Sequence, residues 1–124
     1  MSTIPENLNY TKSHEWFAVE NNIATIGITD FAQNQLTDIV YIDMPKVGDQ
    51  KKIKDILLTI ESVKSAEDVY SPVNGKVVEI NTELADKPEL VNSDSYKYWL
   101  VRIELSDDGF ESMDSQKYKE YIGE

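Results

Sequence analysis

Lys64 is the residue whose setting most invites chemistry. It lies in Glu61-Ser62-Val63-Lys64-Ser65-Ala66-Glu67-Asp68-Val69-Tyr70, between two strand candidates. A lysine at a hairpin tip is exposed and rigidly mounted, and its flexible four-carbon stem suits covalent modification and swinging. The small neighbours Ser62, Ser65 and Ala66 leave room for a modifying enzyme, although the same setting suits an ordinary turn lysine. A second cluster, Ser13-His14-Glu15, holds the single histidine of the chain. Adjacent residues of an extended chain point to opposite faces, so Ser13 and His14 are not expected to form a nucleophilic dyad. His14 reads as a surface or packing residue. Glu67-Asp68 and Asp107-Asp108 lack the alternating ligands, glycine and distal glutamate of a calcium loop, and read as solvated turns.

Composition narrows the possibilities further. The chain has 124 residues, 12 basic against 23 acidic, a formal charge of −11 and no cysteine. This length suits one domain over residues 1–124. The lack of cysteine removes disulfides, thiolate ligands and cysteine nucleophiles, and one histidine excludes a multi-histidine zinc site. Strong acidity argues against nucleic acid and for protein partners with a basic face. The glycines at positions 27, 48, 75, 109 and 123 are too dispersed for a phosphate-binding loop. The longest apolar stretch, Ile56-Leu57-Leu58-Thr59-Ile60, is far short of the roughly 20 residues of a membrane span. The start of the chain has no targeting pattern, so the expected setting is the cytoplasm. These features suit a protein that carries or binds rather than one that catalyses.

The elements that must position Lys64 are short strands. Residues 23–28 and 39–43 are rich in β-branched side chains, residues 55–61 are densely apolar, and residues 76–80 and 98–105 alternate. Thr29-Asp30 can cap a short helix over residues 31–36, and Asp114 a terminal helix carrying Tyr118, Tyr121 and Ile122. Asn74-Gly75 is a tight-turn signal. Trp16, Phe17 and Trp99 are expected to anchor the core. The expected fold is mostly β with small helices at its edges.

Glu61-Ser62-Val63-Lys64, followed by Asp68-Val69-Tyr70, Pro72 and Gly75, resembles the lipoylation site of the glycine cleavage system H protein family. The resemblance extends along nearly the whole chain. Tyr10-Thr11-Lys12-Ser13-His14-Glu15-Trp16 is similar to the opening of the family. Residues 24–33, from Ala24 to Gln33, match its second signature, and Asp38-Ile39-Val40-Tyr41-Ile42, Pro45, Gly48 and Glu89-Leu90-Val91-Asn92 follow in family order. Biotin carriers place methionine on both sides of their lysine, whereas Val63 and Ser65 flank Lys64. Lipoyl domains of 2-oxoacid dehydrogenases read Asp-Lys-Ala and lack the other signatures.

The resemblance implies a lipoyl/biotinyl-type flattened β-barrel of two antiparallel sheets, with short peripheral helices and a C-terminal helix. It implies lipoic acid joined to Lys64 as an amide, with Glu61, Ser62, Val63, Ser65 and Ala66 read by the lipoate-attaching enzyme. Glycine decarboxylase would load an aminomethyl group on the arm, aminomethyltransferase would unload it, and dihydrolipoamide dehydrogenase would reoxidise the dithiol. Ser13, Glu15 and Asp68 would line the cleft that holds the loaded arm. The protein would be a monomeric carrier, not an enzyme.

Departures from the family pattern cluster at glycines. Thr37 stands where the family has the glycine of Leu-Gly-Asp, Lys54 where it has the glycine of Gly-Asp, and Leu58 replaces a third. The segment 92–99 lacks the usual proline before tyrosine. These losses predict local rebuilding around the cleft. Two other roles remain open from the sequence: an H-like protein serving lipoate relay or another redox system, and an unmodified binding module in which Lys64 is only a turn residue. Neighbouring genes for the partner enzymes would separate the first, and the mass of the chain coexpressed with lipoate ligase the second.

Overall fold

The computed structural model describes residues 1–110 and 112–124. Its first half contains β1 (Asn9–Tyr10), β2 (Glu15–Glu20), β3 (Ile23–Ile28), α1 (Asp30–Leu36), β4 (Ile39–Asp43) and β5 (Gln50–Lys51). The second half contains β6 (Ile56–Ser62), β7 (Ala66–Tyr70), β8 (Gly75–Ile80), α2 (Glu83–Asp86), α3 (Leu90–Ser93), β9 (Val101–Leu105) and α4 (Ser115–Ile122). The strands form a six-stranded sheet ordered β1-β2-β3-β9-β8-β5 and a three-stranded sheet ordered β4-β6-β7. Every pairing is antiparallel. The expected two-sheet architecture is therefore the observed one.

The alternation of side chains explains how the sheets close on one another. Ile26, Val77, Val101 and Ile103 come from the larger sheet, Ile42, Leu58, Ile60 and Val69 from the smaller, and all are buried in one cluster. A second cluster packs Tyr10, Trp16 and Tyr118 together at one end, with the Tyr10 and Tyr118 rings stacked 4.7 Å apart. This contact docks α4 against β1 and β2.

Local capping chemistry places both longer helices. The Thr29 hydroxyl accepts the Ala32 amide at 3.2 Å to start α1, and the Asp114 carboxylate accepts the Lys117 amide at 2.8 Å to start α4. Gly123 ends α4 in the left-handed conformation, with φ of 79°.

Two details differ from expectation. Asn74-Gly75 does not close a hairpin, because β7 and β8 belong to different sheets and this segment crosses between them. Gly75 is small for another reason: a Cβ there would lie 2.1 Å from the Glu104 carbonyl oxygen. The final strand starts at Val101 rather than Tyr98, since the Asn81 side chain holds the Trp99 carbonyl at 2.8 Å and the Asn81 amide that of Leu100 at 3.0 Å.

At two of the three positions where the family has glycine, the backbone of this chain is in the positive-φ region. Thr37 and Lys54 have φ of 61° and 75°, so both residues occupy conformations that glycine adopts without strain. Leu58 lies buried on β6, beside an irregularity in the pairing with β7.

Candidate functional site

Strands β6 and β7 are joined by Val63-Lys64-Ser65 alone. Ser62 builds this tip. Its hydroxyl accepts the amides of Lys64 at 3.3 Å and Ser65 at 3.2 Å and donates to the Ser65 carbonyl at 3.1 Å. The Ser62 amide also donates to that carbonyl, at 2.8 Å, and the Val63 amide donates to the Asp38 carbonyl at 3.0 Å. Lys64 is exposed on a tip whose backbone is tied down on both sides. Val63 is 65% exposed and projects an apolar surface beside it. Glu61, paired with Tyr41 and Ala66, is exposed near the end of β6.

Lys64 and Ser65 line a groove of about 390 Å³. Ile28, Phe31, Leu36 and Val69 give it apolar walls, and Ser13, His14 and Asp68 polar ones. A second hollow of about 580 Å³ shares Ser13 with it and contains Glu15, Tyr70, Lys12 and Lys54. The structure thus brings Lys64, Ser13 and Asp68 to one groove and puts Glu15 next to Ser13 on the adjoining hollow. The Asp68 carboxylate accepts the Thr59 hydroxyl at 3.0 Å across the strand pair.

Glu15 is the most unusual polar group of the site. It is 1% exposed. One carboxylate oxygen, Oε1, accepts the Thr11 and Ser13 hydroxyls, both at 2.6 Å, and Oε2 accepts the Tyr70 amide at 3.3 Å. Burial pushes its pKa up, while the hydrogen bonds from Ser13, Thr11 and Tyr70 pull against that rise. The ion pair found among the described residues, Arg102 with Glu79, lies elsewhere. The carboxylate of Glu15 is therefore held by neutral donors and has no cation paired with it.

Ser13 and His14 form no dyad, but the reason differs from the expected one. His14 is not extended: its φ is 71°, and its amide closes a turn onto the Thr11 carbonyl at 3.1 Å. Ser13 donates to Glu15, whereas His14 Nδ1 is paired with the Tyr118 hydroxyl at 2.9 Å. Thr11 and the Tyr70 amide are site groups that the sequence reading missed. The signal available for Thr11 was its position four residues before a strand-opening glutamate.

Two antiparallel sheets that hold one lysine on a braced three-residue tip, beside a groove, define a carrier domain of the lipoyl/biotinyl class. Comparison with known proteins gives the family. The glycine cleavage H-protein family matches residues 8–124. A probable glycine cleavage system H protein of Picrophilus torridus is 64% identical over 124 residues, covering 100% of both chains. A glycine cleavage system H protein of Staphylococcus epidermidis is 47% identical, covering 98% of each chain. The crystal structure of a glycine cleavage system H protein from Mycobacterium marinum superposes with a TM-score of 0.91 at 30% identity, covering 98% of this chain and 100% of that one. The chain belongs to the glycine cleavage H-protein family. As a member, it is a lipoyl carrier of the glycine cleavage system and not one of its catalysts.

Proposed function

We propose that Lys64 is the lipoyl attachment point and that the groove beside it shelters the arm between enzymes. One observation carries this reading: the tip lysine lines a groove that it shares with the apolar side chains Ile28, Phe31, Leu36 and Val69 and with the polar residues Ser13 and Asp68. The residues fit the group. An aliphatic arm gains from burial against Ile28, Phe31, Leu36 and Val69, and amide formation removes the ammonium charge from Lys64. When bound, the lipoyl group supplies a dithiolane that takes up a one-carbon amine and passes on two electrons.

The chain itself binds, orients and excludes water. Ser62 fixes the tip and with it the origin of the arm's swing. Ser13 offers its hydroxyl oxygen to a cationic amine, and the buried Glu15 carboxylate that accepts the Ser13 proton places negative charge behind it. Asp68 adds an acidic wall. Tethering raises the effective concentration of the cargo at each enzyme the tip can reach. The enzymes are glycine decarboxylase, aminomethyltransferase and dihydrolipoamide dehydrogenase, with a lipoate-attaching enzyme that reads Glu61, Ser62, Val63, Ser65 and Ala66 around the lysine. The carrier acts as a monomer in the cytoplasm. Among the described residues no helix is long and apolar enough to cross a membrane.

Coexpression with lipoate ligase followed by intact-mass measurement tests the attachment. A lipoyl increment on the wild type that disappears in Lys64→Arg supports the reading, and an increment that persists in Lys64→Arg overturns it. Glycine–bicarbonate exchange with glycine decarboxylase tests the pathway against the same control.

A further inference from the structure

The Tyr118 hydroxyl stands between two polar atoms. It lies 2.9 Å from His14 Nδ1 and 2.7 Å from Thr29 Oγ1. Tyr118 and Thr29 have no exposed surface. Thr29 Oγ1 already accepts the Ala32 amide as the cap of α1, and among the described residues its own proton has one acceptor within hydrogen-bond distance, the Tyr118 oxygen. The direction of the chain follows. Thr29 donates to Tyr118, Tyr118 donates to His14 Nδ1, and the imidazole proton sits on Nε2. The reverse direction would leave the Thr29 proton buried without an acceptor, an outcome that carries a desolvation penalty.

The His14 ring packs against Phe31 with centroids 4.8 Å apart and lines the groove with Lys64, Glu67 and Asp68. Burial lowers its pKa, which agrees with an uncharged ring. We infer that His14 is a specificity-determining residue of the arm groove, locked by Tyr118 and Thr29 as the Nε2–H form so that the wall presents an uncharged donor instead of a cation. The role in specificity rests on the assignment of the arm to Lys64. Once that lysine is an amide, the charged side chains of the groove are Glu67 and Asp68, both acidic. A neutral histidine leaves that field intact, and the groove accepts cationic cargo.

The single histidine makes the proton directly readable. Nitrogen-15 imidazole spectra of the unmodified full chain should show one tautomer, protonated on Nε2. Tyr118→Phe should lose the fixed form and show both, with the backbone spectrum reporting whether the fold is kept. Thr29→Val, which removes the first donor, provides the same test should Tyr118→Phe not fold. A wild type protonated on Nδ1, or a folded variant with an unchanged pattern, overturns the lock. In the lipoylated chain, His14→Lys should lose retention of the amine cargo while His14→Gln keeps it; equal retention overturns the role in specificity. Absence of lipoate from Lys64 would remove the attachment reading and leave the tautomer result standing.

Discussion

Thr11 grips Glu15 from two sides: its hydroxyl donates to Glu15 Oε1 at 2.6 Å and accepts the Glu15 amide at 3.1 Å. The second bond orients the first, because a hydroxyl that accepts the amide turns its proton toward the carboxylate. Thr11 therefore favours the ionised form of a group that burial pushes toward neutrality. Thr11→Val should raise the Glu15 pKa further, and Thr11→Ser should restore it, as read by carboxyl-carbon NMR titration. In the lipoylated chain Thr11→Val should speed loss of the amine cargo about tenfold, the equivalent of roughly 1.4 kcal/mol. Equal titration of Thr11→Val and wild type would count against this role.

The same carboxylate sets a pH dependence of stability. The folded chain holds the Glu15 proton more tightly than the unfolded chain, whose carboxyl titrates at about 4.3. Stability from this group is thus fully present below that value and lost as pH rises through the higher folded pKa. Glu15→Gln should be more stable than wild type at neutral pH, because the amide carries no charge for burial to penalise. The advantage should shrink on acidification through the folded pKa and be gone below about pH 4. Urea unfolding across this range checks it; a Gln variant less stable at neutral pH defeats the prediction. A carboxylate kept buried at a stability cost is expected of a group retained for function.

The glycine-like conformations at Thr37 and Lys54 lead to a gain. Thr37 has φ of 61° and ψ of −146°, a region that glycine alone enters freely. Lys54, exposed with φ of 75°, has the same difficulty. A left-handed L-residue costs about 1–2 kcal/mol, and glycine gives back roughly 0.5–1 kcal/mol in chain entropy. Thr37→Gly and Lys54→Gly should each stabilise the fold by about 0.5–1 kcal/mol, measured by chemical denaturation. Destabilisation by either change would mean that the side chain makes a compensating interaction.

Much of this molecule was legible because its signals are local. The β-branched runs at residues 23–28 and 39–43 fall on β3 and β4 residue for residue, and the caps Thr29 and Asp114 start α1 and α4. Lys64 stood out because small residues and strands surround it in sequence as they do in space. What escaped depends on distant partners. Gly75 is explained by a carbonyl on β9, and the late start of β9 by Asn81, neither of which is a sequence neighbour. Helices α2 and α3 have four residues each, too few for a periodic pattern. The bond between His14 and Tyr118 spans 104 positions, so residue types and spacing could not disclose it.

Close approach makes two glycines irreplaceable to different degrees. A Cβ on Gly27 would lie 2.5 Å from Trp16 Nε1, the atom that donates to the Ser95 carbonyl at 3.0 Å. The indole can shift, so Gly27→Ala should cost about 1–3 kcal/mol and loosen the packing of β2 near Glu15. A Cβ on Gly75 meets the backbone of Glu104, which has no side-chain torsion to rotate away. Gly75→Ala should exceed the loss at Gly27 and separate β8 from β9. Denaturant midpoints of the two variants give the order, and a smaller loss at Gly75 would reverse the argument.

Ser62 links the stability of the tip to its use. Its hydroxyl organises the amides of Lys64 and Ser65 and the Ser65 carbonyl, and these three hydrogen bonds all stay within the tip. Ser62→Ala should therefore cost only about 1 kcal/mol globally while freeing the backbone that carries the lysine. Faster hydrogen exchange at the Ser65 amide, with exchange in β3 and β9 unchanged, would register that freedom. A lipoate-attaching enzyme that reads a fixed tip should then modify the variant more slowly, because the tip must be ordered upon binding. Ser62→Thr, which keeps the hydroxyl, should recover the rate. Slow attachment to both variants would point to the small size of Ser62 as the feature recognised, and unchanged attachment to Ser62→Ala would remove the tip's rigidity from the account.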